Sequence, residues 1–235
     1  MSARSPDLEP VKRVGHKGAD LIAPGNTLDS FRAALEYGAD MIEFDIVRLG
    51  DGTLVLAHDA HDARSRHCLT LEEGLRHFAG DAYAGVELDV DLKQRGYERE
   101  VAEGLARYGL TERSLVSSTY LETIDRLGEL APGLRRGWSI PRAKRDYTRS
   151  LLAPGAYAVL RAGRLILPRR VARMIRAGRF EAVMAHRLLV SRRLVTEVRA
   201  AGGQTYVWTV DDAPRIHKLI ALGVDGVITN DPRLF

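Results

Sequence analysis

Residues 41–47 read Met41-Ile42-Glu43-Phe44-Asp45-Ile46-Val47. Successive side chains of a β-strand point to opposite faces. The alternation therefore gives Ile42, Phe44 and Ile46 one apolar face and leaves Glu43 and Asp45 together on the other, about 6.5–7 Å apart. Two carboxylates at that spacing face each other across a gap the size of a cation. Without a cation they repel, and one of them tends to take up a proton. The tight turn Gly50-Asp51-Gly52 follows, then Thr53-Leu54-Val55-Leu56-Ala57 as a returning strand, then His58-Asp59. Antiparallel pairing about that turn is expected to bring His58 nearly opposite Glu43. For the hairpin alone, the competing account is an edge ribbon with solvated acids and a surface histidine.

The same strand fits a repeating pattern. Apolar runs near residues 13–16, 41–47, 86–92, 115–118, 134–139, 182–184, 205–209 and 226–228 read as strands, with 53–57 as an accessory. Helical periodicity fills the intervals at 27–37, 98–108, 121–130, 168–177, 191–200 and 213–222. Strands alternating with helices predict a parallel sheet, and eight of them predict a single (β/α)8 TIM barrel over residues 1–235, with a short accessory hairpin after the second strand. An open dinucleotide-binding sheet is not expected, because no glycine-rich fingerprint follows the first strand. In such barrels the chemistry sits at the C-terminal strand ends. His16, Asp45, Asp91, Lys93 and Trp208 all fall there. The third strand alternates too, with Glu87, Asp89, Asp91 and Lys93 on one face and Val86, Leu88, Val90 and Leu92 on the other. Only its C-terminal residues reach the site, so Glu87 and Asp89 are expected in polar layers lower in the barrel, paired with Lys or Arg.

Bulk composition excludes several classes. Cys68 is the only cysteine of 235 residues, so no intramolecular disulfide is possible. The first ten residues lack an apolar signal core, and no stretch approaches about 18 uninterrupted apolar residues. A cytoplasmic location is expected, without secretion or membrane spanning. The net charge of +4 conceals an asymmetry: across residues 135–193, arginines and a lysine (among them Arg135, Arg136, Arg142, Lys144, Arg145, Arg169, Arg170, Arg192 and Arg193) face only Asp146 and Glu181. The bland account is solvated helical faces. The functional one is a positive rim that steers an anionic substrate or rests peripherally on an anionic membrane. No nucleic-acid partner is expected, and nothing in the sequence fixes the oligomeric state.

His16-Lys17-Gly18, Pro24-Gly25-Asn26-Thr27, Ser30-Phe31, Gly38-Ala39-Asp40, Glu43-Phe44-Asp45, Asp51-Gly52 and His58-Asp59 occur in this order. They are followed by Asp91-Leu92-Lys93, Val207-Trp208-Thr209-Val210-Asp211-Asp212 and Gly223-Val224-Asp225-Gly226-Val227-Ile228-Thr229-Asn230-Asp231-Pro232. In these motifs the chain resembles the glycerophosphodiester phosphodiesterases over nearly its whole length, most weakly across residues 137–180. The resemblance implies metal-dependent hydrolysis of glycerophosphodiesters to an alcohol and glycerol 3-phosphate. It implies His16 and His58 as acid and base, Glu43, Asp45 and Asp91 as ligands of one divalent cation, and Lys93 with Lys17 on the phosphate. Oxygen-only ligands favour Mg²⁺ or Ca²⁺. Trp208 either packs the barrel or walls the substrate's alcohol.

Three positions depart from the family pattern. Lys17 stands for arginine and loses its planar fork, Gly25 stands for glutamate, and Asp91 stands for glutamate. The interval from His58 to Asp91 is short, leaving little room for the small helical insertion many members carry there. A more open mouth is expected. Two alternatives follow: a lysophospholipase D acting on lysophospholipids at a membrane surface, and an impaired barrel that binds phosphorylated ligands without turnover. His61, His67, His77 and His217 are expected at the surface, and His186 near the mouth.

Overall fold

In the computed structural model, residues 10–141 and 153–235 are described. The strands are β1 (Lys12–Gly15), β2 (Met41–Arg48), β3 (Leu54–Leu56), β4 (Glu87–Leu92), β5 (Ser114–Ser118), β6 (Arg135–Ile140), β7 (Ala182–His186), β8 (Gln204–Trp208) and β9 (Gly226–Thr229). All pair in parallel around the ring except β3, and the β1–β2 pairing of Val14 with Met41 and Gly15 with Ile42 closes it. The strand β3 lies antiparallel on β2, outside the ring. The architecture is thus the expected closed eight-stranded parallel barrel with an accessory strand.

Helices α1 (Leu28–Glu36), α2 (Ala60–Ser65), α3 (Leu71–Phe78), α4 (Glu98–Arg107), α5 (Leu121–Leu130), α6 (Ala153–Arg176), α7 (Arg192–Arg199) and α8 (Ala213–Leu222) surround the strands. The outward faces of the strands meet them in a close-packed layer. Phe44 stacks on Phe78 with ring centroids 5.0 Å apart, and Phe31 meets both. Burial of each such side chain contributes about 1.5–3 kcal/mol. Inward faces are different in kind: Val14, Met41, Leu115, Met184, Tyr206 and Ile228 fill the barrel's waist. There Tyr206 passes so close to β9 that a Cβ on Gly226 would lie 2.4 Å from its ring.

Three differences from the sequence expectations have local causes. The interval between His58 and Asp91 holds α2 and α3, neither of which is among the expected helices. In α3, Thr70 caps the helix and Glu73 returns the bond, while Leu71, Leu75 and Phe78 recur at the spacing that buries one face. Helix α6 begins 15 residues before the expected 168 and continues through Pro168. His77 is half-buried rather than a surface residue, and its Nε2 lies 3.0 Å from the Tyr83 hydroxyl.

Part of the basic segment is spent on structure. Arg135 and Lys12 clamp Glu87 inside the lower barrel, as expected for a polar layer there. Arg136 pairs with Glu181, Arg179 pairs with Asp125, and the Arg170 guanidinium lies 5.5 Å from the Trp138 ring. Arg142, Lys144 and Arg145 lie outside the described residues.

Candidate active site

The loop after β1 is built on two left-handed residues, Lys17 (φ 51°) and Asn26 (φ 59°). Its backbone amides turn inward: Lys17 N–H donates to Glu43 Oε2 at 2.7 Å and Gly18 N–H to the Glu43 carbonyl at 3.2 Å. Asn26, fully buried, donates from Nδ2 to Asp45 Oδ2 and accepts from the Asp45 N–H, both at 3.0 Å. This two-point clamp sets the Asp45 carboxylate before anything binds. Asn26 carried no assigned role in the sequence. The signal it did offer was its place in Pro24-Gly25-Asn26-Thr27, where asparagine tolerates the left-handed conformation better than other non-glycine residues.

Register supplies the third carboxylate. β2 and β4 align Asp45 with Asp91 and Glu43 with Asp89. Ligand oxygens of Glu43, Asp45 and Asp91 consequently lie within 4.8 Å of one another. The Lys93 ammonium sits among them, 2.5 Å from Asp45 Oδ1 and 2.5 Å from Asp91 Oδ2. Both histidines flank this cluster. His16 Nε2 is 3.9 Å from Glu43 Oε2, and its Nδ1 is 2.6 Å from Asn230 Oδ1. His58 Nδ1 is 3.3 Å from Asp45 Oδ2. In the β2–β3 register Ile46 pairs with Leu56 and Ala57 N–H bonds to the Asp45 carbonyl, so His58 follows directly after the residue opposite Asp45, near Glu43 as expected, and its ring turns to Asp45.

Charge at the site is set by burial. His16 is pulled down to about 4, chiefly by burial, against the attraction of Asp45. Glu43 is raised well above the usual range by burial and by Asp45, and Asp89 is pushed up to about 8 by burial and Asp91. Asp91 is raised by burial despite Lys93. Asp45 alone is held well below its ordinary value: burial opposes this, but Lys93 and His58 outweigh it. Lys93 is held well above its ordinary value, because Asp45, Asp91 and Glu43 overcome burial. Four carboxyl groups thus share one ammonium. A divalent cation fits the three ligands: all donors are oxygens, the acids outnumber the single ammonium among them, and Asp91 Oδ1 is buried with no hydrogen-bond donor among the described residues.

The cluster opens into a cavity of about 630 Å³ whose lining includes His16, Glu43, His58, Asp91, Lys93, Tyr120 and Trp208, and also Asp89, which was expected lower in the barrel. Trp208 donates its Nε1–H to the Met184 carbonyl at 2.8 Å, fixing its ring as wall. His186 packs edge-to-face on Trp208 and is not among the described residues lining the cavity. Lys17 is not brought to the cavity wall either: its ammonium pairs with Asp20. Asp20 also accepts the Gly25 N–H at 2.8 Å, and a Cβ on Gly25 would stand 2.5 Å from that same oxygen. Glycine at 25 is therefore what lets Asp20 hold Lys17.

A family model for the glycerophosphoryl diester phosphodiesterase family matches residues 16–67 and 63–234. A glycerophosphodiester phosphodiesterase from Caldanaerobacter subterraneus is 27% identical over 251 residues, covering 93% of each chain. Among solved structures, a glycerophosphodiester phosphodiesterase from Parabacteroides distasonis superposes with a TM-score of 0.72 at 19% identity, over 95% of this chain and 94% of that one. An Oleispira antarctica phosphodiesterase in complex with sn-glycerol-3-phosphate gives 0.68 at 20% identity, with 94% of each chain covered. With a matching barrel and a family match running from His16 almost to the C-terminus, the chain is a phosphodiesterase that belongs to the glycerophosphoryl diester phosphodiesterase family.

Proposed function

We propose that the protein hydrolyses glycerophosphodiesters to an alcohol and glycerol 3-phosphate, with His16 and His58 exchanging the protons and Glu43, Asp45 and Asp91 holding one Mg²⁺ or Ca²⁺. The observation that carries this is the flanking of one acid cluster by both histidines, at 3.9 and 3.3 Å. When bound, the cation supplies Lewis-acid stabilisation of the phosphate's negative charge. Lys93, already at the cluster, offers its ammonium to a non-bridging oxygen once it leaves the carboxylates. One histidine takes the proton of the attacking oxygen, and the other protonates the departing alcohol oxygen. Trp208 and Tyr120 wall the alcohol portion. Lys17 would join the phosphate only by leaving Asp20.

A second reading, a lysophospholipase D in peripheral contact with an anionic membrane, is favoured by α6. There Leu165 and Ile166 are 68% and 67% exposed beside Arg164 and ahead of Arg169. Assaying glycerophosphocholine, glycerophosphoethanolamine and lysophosphatidylcholine with Mg²⁺, Ca²⁺ and EDTA decides between them. Turnover of the soluble diesters that EDTA abolishes supports the first reading; turnover of the lysolipid alone supports the second. Activity undiminished in EDTA sinks the metal role in both.

A further inference from the structure

We propose that Asp211 and Asn230 are positioning residues that lock His16 in the tautomer with its hydrogen on Nδ1, so that the bare Nε2 faces the cavity. The assignment of a proton-transfer role rests on the function proposed above; the lock itself does not.

The chain of donors starts from a group whose role is fixed. The backbone N–H of Asn230 can only donate, and it lies 2.8 Å from Asp211 Oδ1, which also receives the Thr229 hydroxyl at 3.0 Å. The other carboxylate oxygen, Oδ2, lies 2.7 Å from the side-chain amide of Asn230. A carboxylate accepts, so the amide atom facing it must be the NH₂. The opposite end of that amide is then its carbonyl oxygen, and this is the atom 2.6 Å from His16 Nδ1. A carbonyl only accepts, so Nδ1 carries the hydrogen. In a neutral imidazole the lone pair is left on the other nitrogen, here Nε2, which points to Glu43. His58 Nδ1 meets the Asp45 carboxylate, which likewise only accepts. In the proposed reaction, one histidine takes the proton of the attacking oxygen as its bond to phosphorus forms, and Nε2 is the atom through which His16 exchanges its proton. The bond from phosphorus to the alcohol oxygen breaks, and the other histidine supplies that oxygen's proton.

The test is a long-range ¹H–¹⁵N correlation spectrum of the full chain with Mg²⁺ at pH 8, with His16 assigned by comparison with His16→Gln. The wild-type protein should show the Nδ1–H tautomer. In Asp211→Asn the new amide must keep its oxygen on the Asn230 backbone N–H, so its NH₂ confronts the Asn230 side chain and forces that amide to rotate. Asn230 then presents NH₂ to Nδ1, and the imidazole hydrogen moves to Nε2. Turnover should fall on the order of 10²-fold or more, as for a histidine held in the wrong tautomer, with KM changed less than about threefold and the melting temperature nearly unchanged. The charge-conserving swap Asp211→Asn with Asn230→Asp restores the donor order, because the amide at 211 donates to a carboxylate whose far oxygen accepts from Nδ1–H. It should regain the wild-type tautomer and at least tenfold in turnover. A wild-type hydrogen on Nε2, an Asp211→Asn spectrum like the wild type, or a swap no better than the single variant would overturn the proposal. If the spectra respond as stated but no diester is turned over, the proposed function fails and the lock stands.

Discussion

Asp89 is the sharpest probe of how this barrel tolerates its acids. It is 1% exposed, bonded to Ser117 Oγ at 2.7 Å, aligned with Glu43 across β2–β4 and near Asp91. Burial, and next the charge of Asp91, lift its pKa from 3.8 to about 8. A carboxyl whose folded pKa is raised binds more protons in the folded state between those two values. Its contribution is therefore complete below about pH 4 and is lost as pH rises toward 8. At about 1.36 kcal/mol per unit of pH, the loss amounts to at most about 5 kcal/mol by pH 8. Asparagine keeps the shape and cannot ionise. In EDTA, urea unfolding of wild-type protein at pH 5, 6, 7 and 8 should show stability falling with pH, and Asp89→Asn should flatten that fall. At pH 8 the variant should be the more stable protein by several kcal/mol, and at pH 5 the difference should shrink to about 2 kcal/mol. Parallel stability curves for the two proteins would refute the claim that Asp89 is held protonated.

Asp45→Asn and Glu43→Gln should each remove metal-dependent turnover, measured by release of glycerol 3-phosphate. Asp45→Asn should also cost about 2–4 kcal/mol in urea unfolding, because Lys93 loses one of its two carboxylates in a buried site. Mutual repulsion of the acid pair alone would have predicted a neutral or stabilising change, but the Lys93 contact reverses the sign. His16→Ala and His58→Ala should each lower turnover by about two to four decades at unchanged melting temperature; a small loss from both would demote the two-histidine mechanism. Gly226→Ala should cost about 1–3 kcal/mol through collision with Tyr206, and a variant as stable as wild type would show that the ring can move aside. Sedimentation with anionic vesicles should be weak and salt-sensitive, and reduced by Leu165→Glu with Ile166→Glu; equal binding by the variant would detach α6 from any lipid contact.

The barrel was legible because its two periods differ: strands such as 41–47 alternate at two residues, and the helices between them repeat near 3.6. The strand-end positions of His16, Asp45, Asp91 and Lys93 followed from the same count. Pair geometry was not legible. Nothing in the sequence aligns Asp45 with Asp91 across β2 and β4, and the turn alone does not say which of the two acids the His58 ring meets. The six-residue α2 buries none of its residues and so has no apolar period to read, whereas α3 carries one in Leu71, Leu75 and Phe78 and is as long as α7. Roles that depend on an amide's orientation, as for Asn26 and Asn230, appear only when a fixed backbone donor is located in space.

The loop around Gly25 also has a history written into its sterics. Asp20 occupies the space that any side chain at position 25 would enter, and Lys17 leans on that same carboxylate. Gly25→Glu would have to displace the Asp20 carboxylate and would still meet the Lys17 Cβ at 2.8 Å. Between this loop and one bearing Pro-Glu-Asn-Thr, the substitutions are coupled. Positions 17, 20 and 25 must drift as a set, so a lysine at 17 in a related chain should predict an acid at 20 and a glycine at 25.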